Sequence, residues 1–157
     1  MLEATLELIQ SGAVAGIQDM GAAGITCSTS EMSAKGNCGM KINLDLVPLR
    51  DSDMSGYEIM LSESQERMLV VVHKGQEETA KKIFDKWDLN CVAIGEIIEE
   101  PNVKIYHKGK LEADVPAEPL VLGGGAPVYV RETKEPTYFN ETRNFDFNSL
   151  PEPKDYN

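Results

Sequence analysis

Residues 13–24 read AVAGIQDMGAAG and join a short apolar run to a loop of small residues. The run at 13–18 predicts a buried strand that ends beside Asp19. Glycine and alanine then lead from Met20 into a predicted helix that extends to about Ala34. A strand that turns directly into a helix is typical of layered α/β proteins, so this stretch indicates the class of fold.

Segments of helical and extended character alternate on both sides of this stretch. Upstream, residues 2–11 place Leu2, Leu6 and Ile9 on one face of a helix that Gly12 terminates. Downstream, apolar alternation and amphipathic periodicity predict further elements. These are strands at 40–46, 67–73 and 91–98, helices at 54–62 and 76–87, and a hairpin of 103–107 with 110–115. The alternation predicts an α/β or α+β fold in which helices flank a sheet.

The chain changes character after Pro116. Prolines and a glycine run at 123–125, which lacks the lysine of a phosphate-binding loop, interrupt a polar segment with little periodicity. We therefore predict an α/β domain at 1–116 and an extended tail or interdomain linker at 117–157. Aromatic residues indicate that the tail packs against another surface. They are Tyr129, Tyr138, Phe139, Phe145 and Phe147.

The overall charge restricts the partners of the protein. The 157 residues include 26 acidic and 15 basic side chains, which gives a formal net charge of -11. Such a surface repels the phosphate backbone of nucleic acid, whose binding depends on Lys and Arg. No apolar run approaches the roughly 18 residues of a membrane span, and the first residues do not form a signal peptide. We therefore predict a cytoplasmic protein that binds neither nucleic acid nor membrane.

Asp19 is the first candidate for chemistry. It lies between a strand end and a helix start, where layered α/β folds tend to bind ligands. The small residues of the loop let a ligand approach the backbone, and free N–H groups at the helix start attract anions. A Mg²⁺ ion that also contacts substrate phosphates needs only one or two protein carboxylates, so Asp19 is a candidate ligand of such an ion. Alternatively, Asp19 caps the helix and the glycines serve only the turn.

A second group of polar residues lies just before the strand at 67–73. Glu63, Ser64 and Gln65 offer a carboxylate, a hydroxyl and a primary amide, which suit a polyhydroxylated or amide-bearing ligand. Alternatively, they form an ordinary polar turn between a helix and a strand. Cys27, near the start of the first internal helix, is interpreted as a small buried side chain rather than a reactive thiol.

Both candidate segments belong to a longer pattern that resembles a known enzyme family. The pattern is similar to the large subunits of phosphoribosylformylglycinamidine synthases, in the same order over roughly residues 2–130. The matching segments are 15–28 (AGIQDMGAAGITCS), 30–36 (SEMSAKG), 48–50 (PLR) and 57–68 (YEIMLSESQERM). Segments of this length make chance a poor explanation.

The resemblance implies a fold and a position within a larger enzyme. It implies the C-terminal half of the first of two modules, each similar to aminoimidazole ribonucleotide synthetase, with a mixed sheet flanked by helices. The tail would then be the linker toward the second module. Because the first helix begins without a capping residue, we also expect the natural polypeptide to extend upstream of Met1.

The resemblance also implies a reaction. In this family ATP activates the amide oxygen of formylglycinamide ribonucleotide, and ammonia from a partner glutaminase displaces the phosphate, a step of de novo purine biosynthesis. Asp19 matches a family aspartate that binds Mg²⁺, and Glu63, Ser64 and Gln65 match a segment that contacts the ribonucleotide. No catalytic residue is assigned, because the family's catalytic histidine and its nucleotide-binding residues belong to segments absent from this chain. The chain alone is therefore expected to be inactive.

Two other interpretations stay open at this point. The aromatic tail and the surfaces expected of a separated domain suggest a non-catalytic assembly or binding module. A relative of selenophosphate synthetase or thiamine-phosphate kinase would share the broad architecture, although the long matching segments favour phosphoribosylformylglycinamidine synthase.

Overall fold

The computed structural model describes residues 1–121, 129–152 and 155. The chain divides into two units, Met1–Ala126 and Pro127–Asn157. The predicted domain boundary after residue 116 stays a prediction, and the glycine run at 123–125 lies outside the described residues. In the described part of the chain, no helix combines the length and the apolarity that a membrane crossing requires.

Helices and strands alternate along the first unit. The helices are α1 (Leu2–Gln10), α2 (Gly24–Gly36), α3 (Gly56–Leu61) and α4 (Glu77–Lys86). The strands are β1 (Val14–Asp19), β2 (Gly39–Asn43), β3 (Met68–Val72), β4 (Gly95–Ile98), β5 (Asn102–His107) and β6 (Lys110–Pro116). Short 3-10 turns at Leu44–Leu46 and Glu118–Leu120 follow β2 and β6.

Two sheets organise this unit. β1 and β3 form an antiparallel pair in which Asp19 lies opposite Met68. The second sheet has the strand order β4-β2-β5-β6. β2 runs parallel to β5, and the other neighbouring strands are antiparallel. The predicted class, a mixed sheet with flanking helices, is confirmed.

The β1–β3 pair separates two apolar clusters. Leu69 belongs to the larger cluster, which extends to the four-stranded sheet. Val70 and Val72 contact the smaller cluster, in which Leu8 of α1 and Phe84 of α4 are buried. Successive side chains of a strand point to opposite faces of a sheet, so β3 contributes to both clusters. The pair is thereby supported from both sides.

The apolar face predicted for α1 is largely exposed. Leu2, Leu6 and Ile9 are 70%, 44% and 49% exposed, whereas Ala4 and Leu8 are buried. Ala4 and Leu8 belong to the cluster that α1 forms with α4. The face of α1 that meets α4 is the buried one, although it carries fewer large side chains than the predicted face.

Glu7 connects α1 to the end of α4 by charged hydrogen bonds. Its carboxylate accepts from Lys86 Nζ at 2.9 Å and from the indole Nε1 of Trp87 at 2.8 Å. These two hydrogen bonds hold the pKa of Glu7 below its ordinary value, and the one from Lys86 has the larger effect. At pH values above the ordinary pKa of a carboxyl group, the contact therefore stabilises the fold. This stabilisation is lost as the pH falls through the lowered pKa of Glu7.

Replacement of Glu7 by glutamine should therefore change the pH dependence of stability. We expect Glu7→Gln to lower the Tm of the chain by a few degrees at most near neutral pH, because the pair is exposed to solvent. Below the lowered pKa, where the native carboxyl is protonated, the variant and the wild type should have nearly the same Tm. Glu112→Gln, an exposed position on β6, is the control. An equal loss of Tm in acid and at neutral pH would contradict the assignment.

In the described residues of the second unit, 129–152 and 155, there is one short helix, α5 (Tyr138–Arg143), and a 3-10 turn at Phe147–Ser149. The rings of Phe145 and Phe147 meet edge to face with centroids 5.3 Å apart. Each of the five aromatic residues noted in the tail is at least 39% exposed. Their packing against another surface stays a prediction.

Candidate functional site

A concavity of about 230 Å³ lies where β1 ends and β3 begins. Its lining residues come from the end of β1 and from the loop that precedes β3. Asp19, Glu63, Ser64 and Gln65 are all among them. The structure therefore brings together the four residues that the sequence identified as candidates.

Strand pairing explains why these two segments meet. Asp19 lies opposite Met68 in the β1–β3 pair, and the Met20 N–H donates to the Arg67 carbonyl at 3.1 Å. The loop that carries Glu63 to Gln65 leads directly into β3. The same pairing that extends β3 along β1 therefore places this loop beside Asp19.

The start of α2 restrains the other end of the loop. Gly24 has a φ of +54°, and a Cβ atom at this position would overlap the Ser62 carbonyl oxygen and lie 3.0 Å from that of Met60. Thr26 Oγ1 donates to the same Met60 carbonyl at 3.1 Å. The close approach of α2 to the loop backbone therefore depends on glycine at position 24.

The polar side chains of the loop have no partners in the part of the chain that the structure describes. Glu63, Ser64 and Gln65 are exposed, and their side chains form no hydrogen bond or ion pair with any described residue. In an ordinary polar turn such side chains often bind the neighbouring backbone. Here their donors and acceptors are available to a ligand in the concavity.

Asp19 does not cap the helix that follows it. The residue that precedes α2 is Ala23, and no side chain caps this helix. Asp19 Oδ1 instead accepts from Gln18 Nε2 at 3.1 Å. The alternative of a capping role is therefore wrong. The carboxylate is exposed and, among the described residues, forms no ion pair, so it can bind a cation.

The donor atoms at this concavity fit a magnesium ion whose other ligands are water molecules and substrate oxygens. Within residues 1–121, 129–152 and 155, no group of three or more His, Cys, Asp or Glu side chains converges to hold a metal. Asp19 and Glu63 nevertheless line the same concavity. Mg²⁺ is commonly held by one or two carboxylates together with waters and substrate phosphates, so a complete protein cage is not required.

Cys27 lies close to this region but is poorly suited to act as a nucleophile. Its Sγ donates to Glu31 Oε1 at 3.1 Å. This hydrogen bond, followed by burial and the negative charges of Glu31 and Asp19, raises the pKa of the Cys27 thiol. The thiolate is the reactive form, so a raised pKa argues against a reactive thiol, although Cys27 is half-buried rather than buried as predicted.

Arg67 lines the site, although no sequence pattern had indicated a role for it. It is the one cationic side chain among the described residues that line the concavity. Burial lowers the pKa of its guanidinium, and its Nε is buried without a hydrogen-bond partner in the described chain. Arg67 belongs to the matching segment 57–68, but no local pattern distinguishes it from a surface arginine.

A second concavity, of about 400 Å³, lies near the C-terminal end of α2. Ser33, whose buried Oγ has no partner in the described residues, and Glu118 are among its lining residues. None of the four candidate residues, Asp19, Glu63, Ser64 and Gln65, lies there. One hydroxyl and one carboxylate do not define a reaction, so the smaller concavity beside Asp19 is the candidate site.

Comparison with known proteins identifies the family of the chain. The family described as "AIR synthase related protein, C-terminal domain" matches residues 1–108. The phosphoribosylformylglycinamidine synthase subunit PurL of Leptospira biflexa is 58% identical over 154 residues, which are 98% of this chain and 21% of the relative. That of Chlorobium luteolum is 61% identical over 137 residues, 84% of this chain and 18% of the relative. The chain thus spans about a fifth of the length of these curated relatives.

Solved structures show the same relationship. T. maritima PurL complexed with ATP matches with a TM-score of 0.75 and 38% identity, over 85% of this chain and 23% of that protein. T. maritima PurL complexed with FGAR matches with a TM-score of 0.73 and 40% identity, over 86% of this chain and 23% of that protein. These matches confirm the resemblance seen in the sequence. With more than half of its residues matched by the family, the chain belongs to the AIR synthase related proteins as a C-terminal domain.

Proposed function

We propose that this chain is part of a phosphoribosylformylglycinamidine synthase subunit and that its concavity binds formylglycinamide ribonucleotide and Mg²⁺ for ATP-dependent amidation. The observation that carries the proposal is the convergence of Asp19 with Glu63, Ser64 and Gln65 on one concavity. The names of the curated relatives support it. So do the complexes of T. maritima PurL with FGAR, ATP and ADP.

Asp19 contributes the metal-binding carboxylate in this proposal. It lies at the end of β1, whose pairing with β3 fixes its backbone. When bound, Mg²⁺ would neutralise charge on phosphoryl oxygens. Asp19 would hold the ion at the concavity that the loop residues also line.

The loop residues orient the ribonucleotide in this proposal. Glu63 accepts hydrogen bonds from hydroxyl or amide N–H groups, and Gln65 both donates and accepts. These two residues hold the ribose or glycinamide portion, and Ser64 adds a secondary contact. Their lack of partners within the described chain supports this role, because each binding group is free before the substrate arrives.

The reaction also needs groups from outside this chain. The proposal therefore includes the remaining domains of the synthase, which make most of the contacts with ATP. It also includes a glutaminase subunit or domain that supplies ammonia. The proposed location is the cytoplasm. The alternative of a non-catalytic assembly module is less well supported, because it leaves the convergence of the polar residues beside Asp19 without a purpose.

Glu63→Gln in the full-length subunit tests the substrate-binding role. The change keeps the shape of the side chain but removes its charge. Loss of a hydrogen bond to a charged group is worth about 1.5–3 kcal/mol, so the KM for formylglycinamide ribonucleotide should rise by about tenfold to a hundredfold. The KM for ATP should change much less.

Glu99→Gln is the matched control for this experiment. Glu99 is also exposed and also has no partner among the described residues, but it lies in the turn after β4. Steady-state kinetics should show wild-type constants for this variant. An unchanged KM in Glu63→Gln, or an equal rise in both variants, would argue against the proposed substrate contact.

A further inference from the structure

Arg67 bridges the two ends of the loop that carries the candidate substrate contacts. Its carbonyl oxygen accepts from the Met20 N–H at 3.1 Å, which fixes its backbone beside the end of β1. Its guanidinium Nη2 donates to the carbonyl oxygen of Ser62. Ser62 in turn lies against Gly24 at the start of α2. The side chain of Arg67 therefore spans the segment from Glu63 to Glu66.

The conformation of this loop requires such a restraint. Glu66 has a φ of 61°, in the left-handed region. A residue other than glycine keeps this conformation only where its surroundings impose it. The side chains of Glu63, Ser64 and Gln65 form no hydrogen bonds with described residues and so do not hold the loop. Among the residues that the structure describes, the hydrogen bond from the Arg67 side chain to the Ser62 carbonyl is the side-chain bond that closes the loop.

The charge of Arg67 is not explained by stability. Its Nε is buried without a hydrogen-bond partner, and the guanidinium forms no ion pair with a described carboxylate. Arg67 is half-buried, and a guanidinium held there without an ion pair has a desolvation cost that an apolar side chain of similar size avoids. Asp19, Glu63 and Glu66 place three carboxylates around the same concavity. A positive charge there reduces their repulsion of an anionic ligand.

We propose that Arg67 is a positioning residue for substrate binding. It fixes the Glu63–Gln65 segment through the Ser62 carbonyl and offsets part of the acidic charge that faces a phosphate-bearing ligand. This inference rests on the proposed function, because it requires a phosphorylated substrate in this concavity. It adds a residue that acts through the loop rather than by direct contact with reacting atoms.

Arg67→Met in the full-length subunit separates this role from a structural one. Methionine retains apolar packing but removes both the charge and the donor to Ser62. Removal of the partly desolvated charge offsets the loss of the bond to Ser62, so the Tm should stay within a few degrees of the wild-type value. The KM for formylglycinamide ribonucleotide should nevertheless rise about tenfold, with a smaller change in the KM for ATP.

Arg67→Lys is the second variant, and it decides the question if the methionine variant does not fold. Lysine keeps the charge and one donor for the Ser62 carbonyl but lacks the planar guanidinium, so its KM should lie between those of wild type and Arg67→Met. Arg131→Met removes an exposed arginine from the second unit and should behave as wild type.

Two outcomes distinguish this inference from the proposed function. A wild-type KM for formylglycinamide ribonucleotide in both Arg67 variants overturns the positioning role, whatever happens to the Tm. Failure of the proposed function has a different signature: the wild-type subunit then shows no amidation, or Glu63→Gln leaves the KM unchanged. A raised KM with retained Tm in Arg67→Met supports the role of Arg67.

Discussion

Asp19→Asn should lower the kcat of the full-length subunit by about 10²–10³-fold, because metal ions stabilise transition-state charge by several kcal/mol and each 1.4 kcal/mol is tenfold in rate. Asparagine keeps the size of the side chain but replaces a charged ligand with a neutral one. The Mg²⁺ concentration needed for half-maximal activity should rise as well. Since Asp19 is exposed and does not cap α2, the Tm should stay within a degree or two of the wild-type value.

Asp53→Asn controls for the loss of an acidic side chain. Asp53 is exposed, and its carboxylate has no partner among the described residues. Kinetic constants and Mg²⁺ dependence should match the wild type in this variant. Wild-type turnover in Asp19→Asn would refute the assignment of Asp19 as a metal ligand. A large loss of Tm in the same variant would show that the carboxylate has a structural role instead.

Gly24→Ala should lower the free energy of unfolding by about 2–5 kcal/mol. This loss is the sum of left-handed backbone strain and overpacking. Gly24 has a φ of +54°, where alanine is disfavoured, and the added Cβ would overlap the Ser62 carbonyl oxygen. The loop cannot shift easily, because the same segment is tied to α2 by the hydrogen bond from Thr26. Urea unfolding monitored by circular dichroism measures the loss. The total stability of a typical domain is about 5–15 kcal/mol, so this change is large.

Gly12→Ala separates backbone strain from steric overlap. Gly12 also has a positive φ, of +73°, but a Cβ atom there would meet nothing within 4 Å. This control should lose only the strain component, about 1–2 kcal/mol. Equal losses in the two variants would show that α2 does not press against the loop at Gly24.

Many of the elements could be predicted because local patterns determine them. The strand before Asp19, the helix after it and the hairpin formed by β5 and β6 agree with the sequence to within two residues or so. The predicted strand at 91–98 is extended only at Gly95–Ile98. Its first residue, Cys91, packs against the smaller cluster instead. Apolar character alone does not distinguish a strand from a loop that contributes to a core.

The face of α1 that is buried could not be predicted for a related reason. Large side chains mark one side of the helix, but the partner helix α4 meets the side that carries Ala4 and Leu8. Contact between two helices depends on the shapes of both surfaces, and a single helical pattern contains only one of them.

The candidate site depended on a pairing that no local pattern reveals. Periodicity placed Asp19 at the end of one strand and Glu63 before another, but α2, β2 and α3 lie between those strands in the chain. The resemblance to a family linked the two segments, and the pairing of β1 with β3 supplied the physical reason. Arg67 acquires meaning only from its contacts in three dimensions, so sequence patterns alone gave it no role.

The four-stranded sheet has a consequence for how the chain is made. Its inner strand β2 has neighbours that come much later in the sequence, since Met40 pairs with Ile97 on one side and with Val103 on the other. A ribosome therefore releases β2 long before either neighbour exists. Met40 and Ile42, which are buried in the finished fold, stay uncovered by their sheet during that interval. Transiently exposed apolar strands favour aggregation, so we expect nascent chains of this protein to be most vulnerable before β5 emerges.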